Sequence, residues 1–184
     1  MKQKQMPGLM FKIMTIIMSI FKIFRNIEQE VNYSELKLGY KVLDFGCGLV
    51  FNTIPAARIV GSTGKIFALD NNKKAIEIVR QKIEKYKLKN IETIFSDCDT
   101  FLDDNTIDIV FLHNTFPMIE NKKRVLNEIH RVLKINGKLS YTSRIGSRLV
   151  VKNRMTNKEL IDILTKEYKM GLVKQNNGHI LFEK

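Results

Sequence analysis

The sequence predicts an α/β fold: a doubly wound, mostly parallel seven-stranded sheet closed by a terminal antiparallel hairpin. Strand-like apolar runs alternate with helix-period segments from Lys41 onward. The run Ile107 to Leu112 is almost continuously apolar, as a strand covered on both faces must be. Near the end, Asn177-Gly178 separates two short strand-like runs, a type I′ hairpin signal.

Each element has a local reason. Val42-Leu43 opens the first strand, which runs to Asp44, and Gly46 and Gly48 form a sharp turn after it. Glycine suits that turn because φ > 0 carries no Cβ penalty and a ligand can approach bare backbone. Thr53 to Val60 reads as a helix that tolerates Pro55 in its first turn. Ile66 to Leu69 is a second strand ending at Asp70, and Asn72 can cap a helix with Ile76, Val79, Ile83 and Tyr86 at helical spacing. Ile91 to Phe95 is a third strand leading into the polar loop Ser96-Asp97-Cys98-Asp99. After the strand Ile107 to Leu112, a helix over Arg124 to Leu133 places Val125, Leu126, Ile129, Val132 and Leu133 on one face. The turn Asn136-Gly137 introduces the strand Lys138 to Thr142, and Thr156-Asn157-Lys158-Glu159 is a capping box before Leu160, Ile161 and Leu164.

The 184 residues suit one domain, 39–184, preceded by an N-terminal apolar helical cap, 1–38. In Leu9 to Phe24 the polar residues Lys12, Thr15, Ser19 and Lys22 form one narrow helical stripe, with apolar groups elsewhere. The uncharged stretch Ile13 to Phe21 is far short of the ~20 residues a spanning helix needs, and no small-residue cleavage site follows it. This helix either caps the substrate side of the domain or lies in a membrane interface with its lysines at the headgroups.

Cys47 and Cys98 both fall in loops, which argues for a reducing compartment and against a disulfide framework or a zinc site. His113, His130 and His179 show no metal-ligand spacing, so no metal is expected. The 31 basic and 19 acidic residues give a net charge of +12, which fits an anionic partner, nucleic acid or membrane, or a solvated lysine-rich surface. A cytoplasmic protein is expected, with peripheral contact at the inner membrane surface as a variant.

Strand, glycine turn, helix, strand and acid, in that order, build a pocket for an adenosine-containing cofactor, with Asp70 placed to accept from ribose hydroxyls. A dinucleotide fingerprint needs a third glycine, but Leu49, Val50 and Phe51 follow Gly48. The segment Asp44-Phe45-Gly46-Cys47-Gly48-Leu49-Val50 instead resembles D-x-G-x-G-x-G, motif I of the class I S-adenosylmethionine-dependent methyltransferases, with Val50 at the last glycine. Glu128 to Leu139, EIHRVLKINGKL, is similar to the E-x-x-R-V-L-K-P-G-G segment of their type 11 group, which includes enzymes of quinone biosynthesis. The resemblance covers about Gly39 to Lys184 and implies a Rossmann-like methyltransferase fold.

By that resemblance Asp44 would orient the turn and approach the amino end of the methionine moiety. Phe45, Gly46, Cys47 and Gly48 would form the cofactor loop, with backbone contacts at Phe45, Gly46 and Gly48. Asp70 would hold the ribose and Asn71 would pack on the adenine. Asp97 would accept from the adenine amino group, Cys98 would flank the ring, and His113 would line the sulfonium side. A β-branched Val50 is strained if its φ is positive, with its methyls expected toward the methionine carboxylate.

Methyl transfer from a sulfonium needs mainly proximity and orientation, so no fixed catalytic residue is legible. His113 stands as a candidate base or packs beside the cofactor. His113-Asn114-Thr115-Phe116-Pro117 replaces the N-P-P-Y type segment that clasps a planar amino or amide group. Arg144, Arg148, Lys152 and Arg154 follow the fifth strand and are placed to receive an anionic group at the substrate mouth. The expected function is methyl transfer to a small-molecule or lipid-like acceptor; RNA methylation or a non-catalytic scaffold role are the alternatives.

Overall fold

The computed structural model describes residues 31–143, 155–176 and 178–184. Strands β1 (Lys41–Phe45), β2 (Lys65–Asp70), β3 (Ile91–Phe95), β4 (Ile107–His113), β5 (Leu133–Thr142), β6 (Gly171–Asn176) and β7 (His179–Glu183) form one sheet, in the order β3-β2-β1-β4-β5-β7-β6. β7 is antiparallel to β5 and β6, and the remaining pairs are parallel. The helices are α1 (Thr53–Val60), α2 (Lys73–Tyr86), α3 (Lys122–Val132) and α4 (Asn157–Lys166). The order of strands reverses between β1 and β4, where the strand ends open a crevice.

Alternation along the strands feeds two cores. One contains Val42, Ile66, Ala68, Ile109 and Phe111 with Ala56, Ala57 and Val60 of α1 and Val79 of α2. The other contains Leu43, Phe45, Leu69, Val110 and Leu112 with Val125, Leu126 and Ile129 of α3 and Leu160 and Leu164 of α4. The expected caps are in place. The Asn72 side chain accepts from the Lys74 N–H at 3.0 Å, and Thr156 and Glu159 close a reciprocal capping box on α4.

The structure differs from the sequence reading in three places. Helix α3 begins at Lys122 because the Asn121 side chain caps it, accepting from the Arg124 N–H at 3.1 Å. Leu133 already belongs to β5, and Asn136-Gly137 is an irregularity within that strand. Asn136, at φ 64, and Gly137 pair there with the backbone of Lys184. Tyr86 is exposed, with Arg58, Lys82 and Lys85 around its ring. The connection from β3 to β4, residues 96–106, contains no helix.

Residues 31–35 are attached to the sheet. Val31 joins the α1-side core, Ser34 donates to the Ser140 hydroxyl at 2.7 Å, and Glu35 pairs with Lys138 and Lys174. The expected Leu9–Phe24 helix, the cluster Arg144, Arg148, Lys152 and Arg154, and Asn177 lie outside the described residues. Gly178, at φ 84, stands between β6 and β7, which form the expected hairpin. Among the described residues no helix is long and apolar enough to cross a membrane, and no three His, Cys, Asp or Glu residues cluster as metal ligands.

Candidate cofactor site

The turn after β1 is bound tightly to the end of β2. The backbone N–H groups of Gly46 and Cys47 both donate to the Leu69 carbonyl, at 2.8 and 2.9 Å. Gly48 N–H donates to Asp70 Oδ2 at 2.9 Å, and Asn72 N–H donates to Asp70 Oδ1 at the same distance. Asp70 thus clasps the glycine turn on one oxygen and the start of α2 on the other. Burial raises its carboxyl above the ordinary value, against the backbone N–H groups that lower it.

Gly46 has φ 79, and a Cβ there would overlap the Thr115 side chain. Thr115 Oγ1 also donates to the Gly46 carbonyl at 3.2 Å, joining the first turn to the segment after β4. Gly48 has φ 48, and a Cβ there would meet nothing nearer than 3.9 Å, so the turn is open on that side. Asp44 is buried at 2% exposure and accepts from Thr53 Oγ1 at 2.6 Å. Burial pushes its carboxyl up to about 6, with the Asp70 charge acting in the same direction. Phe45 and Cys47 turn their side chains into the two cores, and burial pushes the Cys47 thiol well up, which makes it unreactive.

Val50 has φ 60, the left-handed conformation that a β-branched residue resists. Its isopropyl group is 5% exposed and packs in the core with Cys47, Ile54 and Phe111. The expected strain is therefore present, and the isopropyl group is taken up by that core.

On the β3 side, Asn71 follows Asp70 and is half-buried. Asp97 is half-buried and lies 3.8 Å from Arg124 Nη1. Cys98 is buried beside it, its thiol pushed up to about 11 by burial. His113, at the end of β4, is buried; its Nε2 is 2.9 Å from Ser140 Oγ and its ring stacks on Phe111 at 4.9 Å. His179 and Tyr33 stand next in line, with the two histidine rings 6.3 Å apart and Tyr33 5.2 Å from His179. His113 therefore belongs to a buried polar cluster. His130 is half-buried against Tyr168.

The structure therefore ties Asp44, Gly46, Cys47, Gly48 and Asp70 into one unit and places Asp97 and Cys98 in the loop beyond β3. Thr53, Thr115 and Arg124 join them. Sequence reasoning missed these three, whose roles depend on contacts 9, 69 and 25 residues away. A shallow depression beside Arg124, lined by Cys98, Asp99, Asn121 and Glu128 among others, lies between that loop and α3. Its carboxylates are engaged in ion pairs with Arg124 and Arg131, and we assign it no cofactor.

The residues fit an adenosine-bearing sulfonium cofactor. A carboxylate has about four acceptor positions, so Asp70 is not saturated by the backbone groups of Gly48, Asn71 and Asn72 and can still accept from a ribose hydroxyl. Gly48 leaves the backbone open beside it.

A parallel sheet with one antiparallel strand next to its edge, and a glycine turn held over a second-strand carboxylate, defines a Rossmann-like domain of the methyltransferase type. Residues 36–183 match the family model described as a methyltransferase domain, and the chain belongs to that family of class I S-adenosylmethionine-dependent methyltransferases. Among curated proteins it is 32% identical over 113 residues to the demethylmenaquinone methyltransferase of Bacillus mycoides, covering 61% of this chain and 48% of that one. It is 31% identical over 103 residues to a probable cobalt-precorrin-6B C(15)-methyltransferase (decarboxylating) of Sulfurisphaera tokodaii, covering 55% and 52%. The chain thus spans about half the length of the curated relatives it matches. A SAM-dependent methyltransferase from Aquifex aeolicus shares the fold at TM-score 0.73 and 23% identity, with 86% of this chain and 89% of that one covered. The [4+2]-cyclase SpnF shares it at TM-score 0.70 and 18% identity, covering 83% and 58%, so the fold alone does not fix the reaction.

Proposed function

We propose that the chain transfers the methyl group of S-adenosylmethionine to a small-molecule, lipid-like acceptor. The observation that carries this reading is Asp70, which draws the glycine turn and the start of α2 onto one carboxylate. The family assignment over 36–183 supports it, as do relatives named for a quinone and a corrinoid precursor.

The cofactor supplies an activated methyl carbon on a sulfonium, so the protein contributes mainly position and electrostatics. Asp70 accepts from the ribose hydroxyls, and Asn71 packs against the adenine. Asp97 accepts from the adenine amino group, with Cys98 flanking the ring. Asp44 presents a buried negative charge to the ammonium end of the methionine moiety, where opposite charge is worth most in a low dielectric. Phe45, Gly46, Cys47 and Gly48 supply the cofactor loop. His113 orders the end of β4 on the sulfonium side through Ser140, and we assign it no proton transfer.

Residues 1–38 act as an apolar cap over the acceptor. A lipid-like acceptor accounts for the Met- and Ile-rich stretch Leu9–Phe24; placement of that stretch in a membrane interface is the alternative to capping.

Isothermal titration with S-adenosylmethionine and S-adenosylhomocysteine tests the cofactor site. Micromolar binding that weakens at least about tenfold in Asp70→Ala is expected from the loss of a charged hydrogen-bond acceptor. Failure of the wild-type protein to bind either ligand would refute the proposal. Methyl transfer to quinol and phenol acceptors in detergent then identifies the acceptor class.

A further inference from the structure

The helix-free connection 96–106 must satisfy its backbone without a helix of its own. Helix α3 does this with one stripe of side chains, Arg124, Glu128 and Arg131, at spacings of four and three that share a face. Glu128 Oε1 accepts from the Thr100 N–H at 3.0 Å and from its hydroxyl. Arg131 Nη2 donates to the Leu102 carbonyl at 2.8 Å, and its Nη1 reaches Asp104. The Asn105 and Thr106 N–H groups donate to the carbonyls of Arg131 and Val132. Arg124 completes the stripe at the end nearest β3. Its Nη2 lies 2.7 Å from both oxygens of Asp99, and its Nη1 lies 3.8 Å from Asp97 Oδ1.

We propose that Arg124 is a positioning residue that fixes the Asp97 carboxylate against the cofactor's purine, and so makes the pocket selective for a 6-aminopurine. This rests on the cofactor reading above and adds to it a residue on the opposite helix. A carboxylate accepts hydrogen bonds and donates none, so it rewards an exocyclic amino group and gains nothing from a C–H at that position. Such selection requires the carboxylate to be held still. Asp97 sits in a loop, and the Arg124 guanidinium, itself anchored on Asp99, is one restraint on its carboxylate. The distance to Asp97 is that of an ion pair without a close hydrogen bond, so Arg124 restrains the carboxylate without covering it.

The test compares S-adenosylhomocysteine with its 6-deamino analogue, the purine riboside of homocysteine, by titration calorimetry on the full chain. The wild-type protein should favour the amino ligand about tenfold, the worth of one hydrogen bond to a charged acceptor. Arg124→Ala should cut that ratio to about threefold or less, while binding of the deamino ligand changes less than about threefold and Arg124→Lys restores part of the preference. If Arg124→Ala does not fold, Asp99→Asn removes the other anchor at an exposed position and should lower the ratio in the same direction. A loss equal for both ligands overturns the inference, because a merely structural role would produce it. A ratio unchanged in the variants, or tighter binding of the amino ligand in Arg124→Ala, also overturns it. A wild-type protein that binds neither ligand overturns the cofactor reading itself and this inference with it.

Discussion

Asp44→Asn should make the protein more stable at neutral pH, although the residue belongs to the proposed cofactor site. Asp44 is 2% exposed, and Thr53 Oγ1 donates to it at 2.6 Å. Its carboxyl titrates at about 6 in the fold, against 3.8 for an ordinary aspartate, chiefly because burial disfavours the charge. The native state therefore holds the proton more firmly than the unfolded chain does between about pH 4 and 6. Over that window stability falls as pH rises, and above pH 6 the whole cost is present. A gap of about two units at 1.36 kcal/mol each gives about 3 kcal/mol as an upper limit. Asparagine keeps an acceptor for Thr53 and carries no charge, so the variant should recover up to about 3 kcal/mol at pH 7. For a domain of this size that is about 6–12 °C in unfolding temperature. Urea unfolding at pH 5, 6 and 7 is the assay. Wild-type stability should rise from pH 7 to pH 5, and the variant should show a shallower rise, with the remainder due to Asp70, whose carboxyl is also raised. Equal slopes in the two proteins, or a variant no more stable at pH 7, would refute the reasoning.

Two further substitutions probe the framework. Val50→Gly relieves about 1–2 kcal/mol of left-handed strain and forfeits about 1.5–3 kcal/mol of buried side chain, so its net cost in urea unfolding should not exceed about 2 kcal/mol. Val79→Gly, inside helix α2, adds a helix penalty to the same lost burial and should cost clearly more. Glu128→Ala leaves Thr100 and Arg131 without their shared acceptor and should cost about 2–4 kcal/mol at pH 7. Because Arg131 and Thr100 pull the Glu128 carboxyl down to about 2, its contribution is full above pH 4.5 and lost toward pH 2. The variant should accordingly show a flatter acid limb in pH-dependent unfolding.

Local chemistry made the framework legible from sequence. Asn72 and Thr156 announced helix starts through hydrogen bonds to backbone two and three residues away, and the apolar run into β4 could only be a buried strand. The strain at Val50 was legible for the same reason, since it follows from one φ and a branched Cβ. The direction of its side chain was not, because that depends on Ile54 and Phe111 arriving from α1 and β4. The role of Thr115 is likewise set by strand order, which brings the ends of β1 and β4 together, and that of Arg124 by the packing of α3 beside the loop beyond β3. His179 gave no signal beyond its place in a hairpin; only its register opposite Thr142 carries it toward His113.

The contact between Thr115 and Gly46 bears on how such an enzyme could change its acceptor over evolution. On the proposed function, residues just after β4 face the acceptor, which would make them natural places for variation in substrate choice. Position 115, however, already fills the space that a side chain at position 46 would need, and its hydroxyl holds the carbonyl of that turn. A bulkier residue there would press on the first turn, and a smaller one would release it. On that reading, substrate drift through position 115 would be coupled to cofactor affinity, and neighbouring positions such as the half-exposed Met118 would offer the less constrained route.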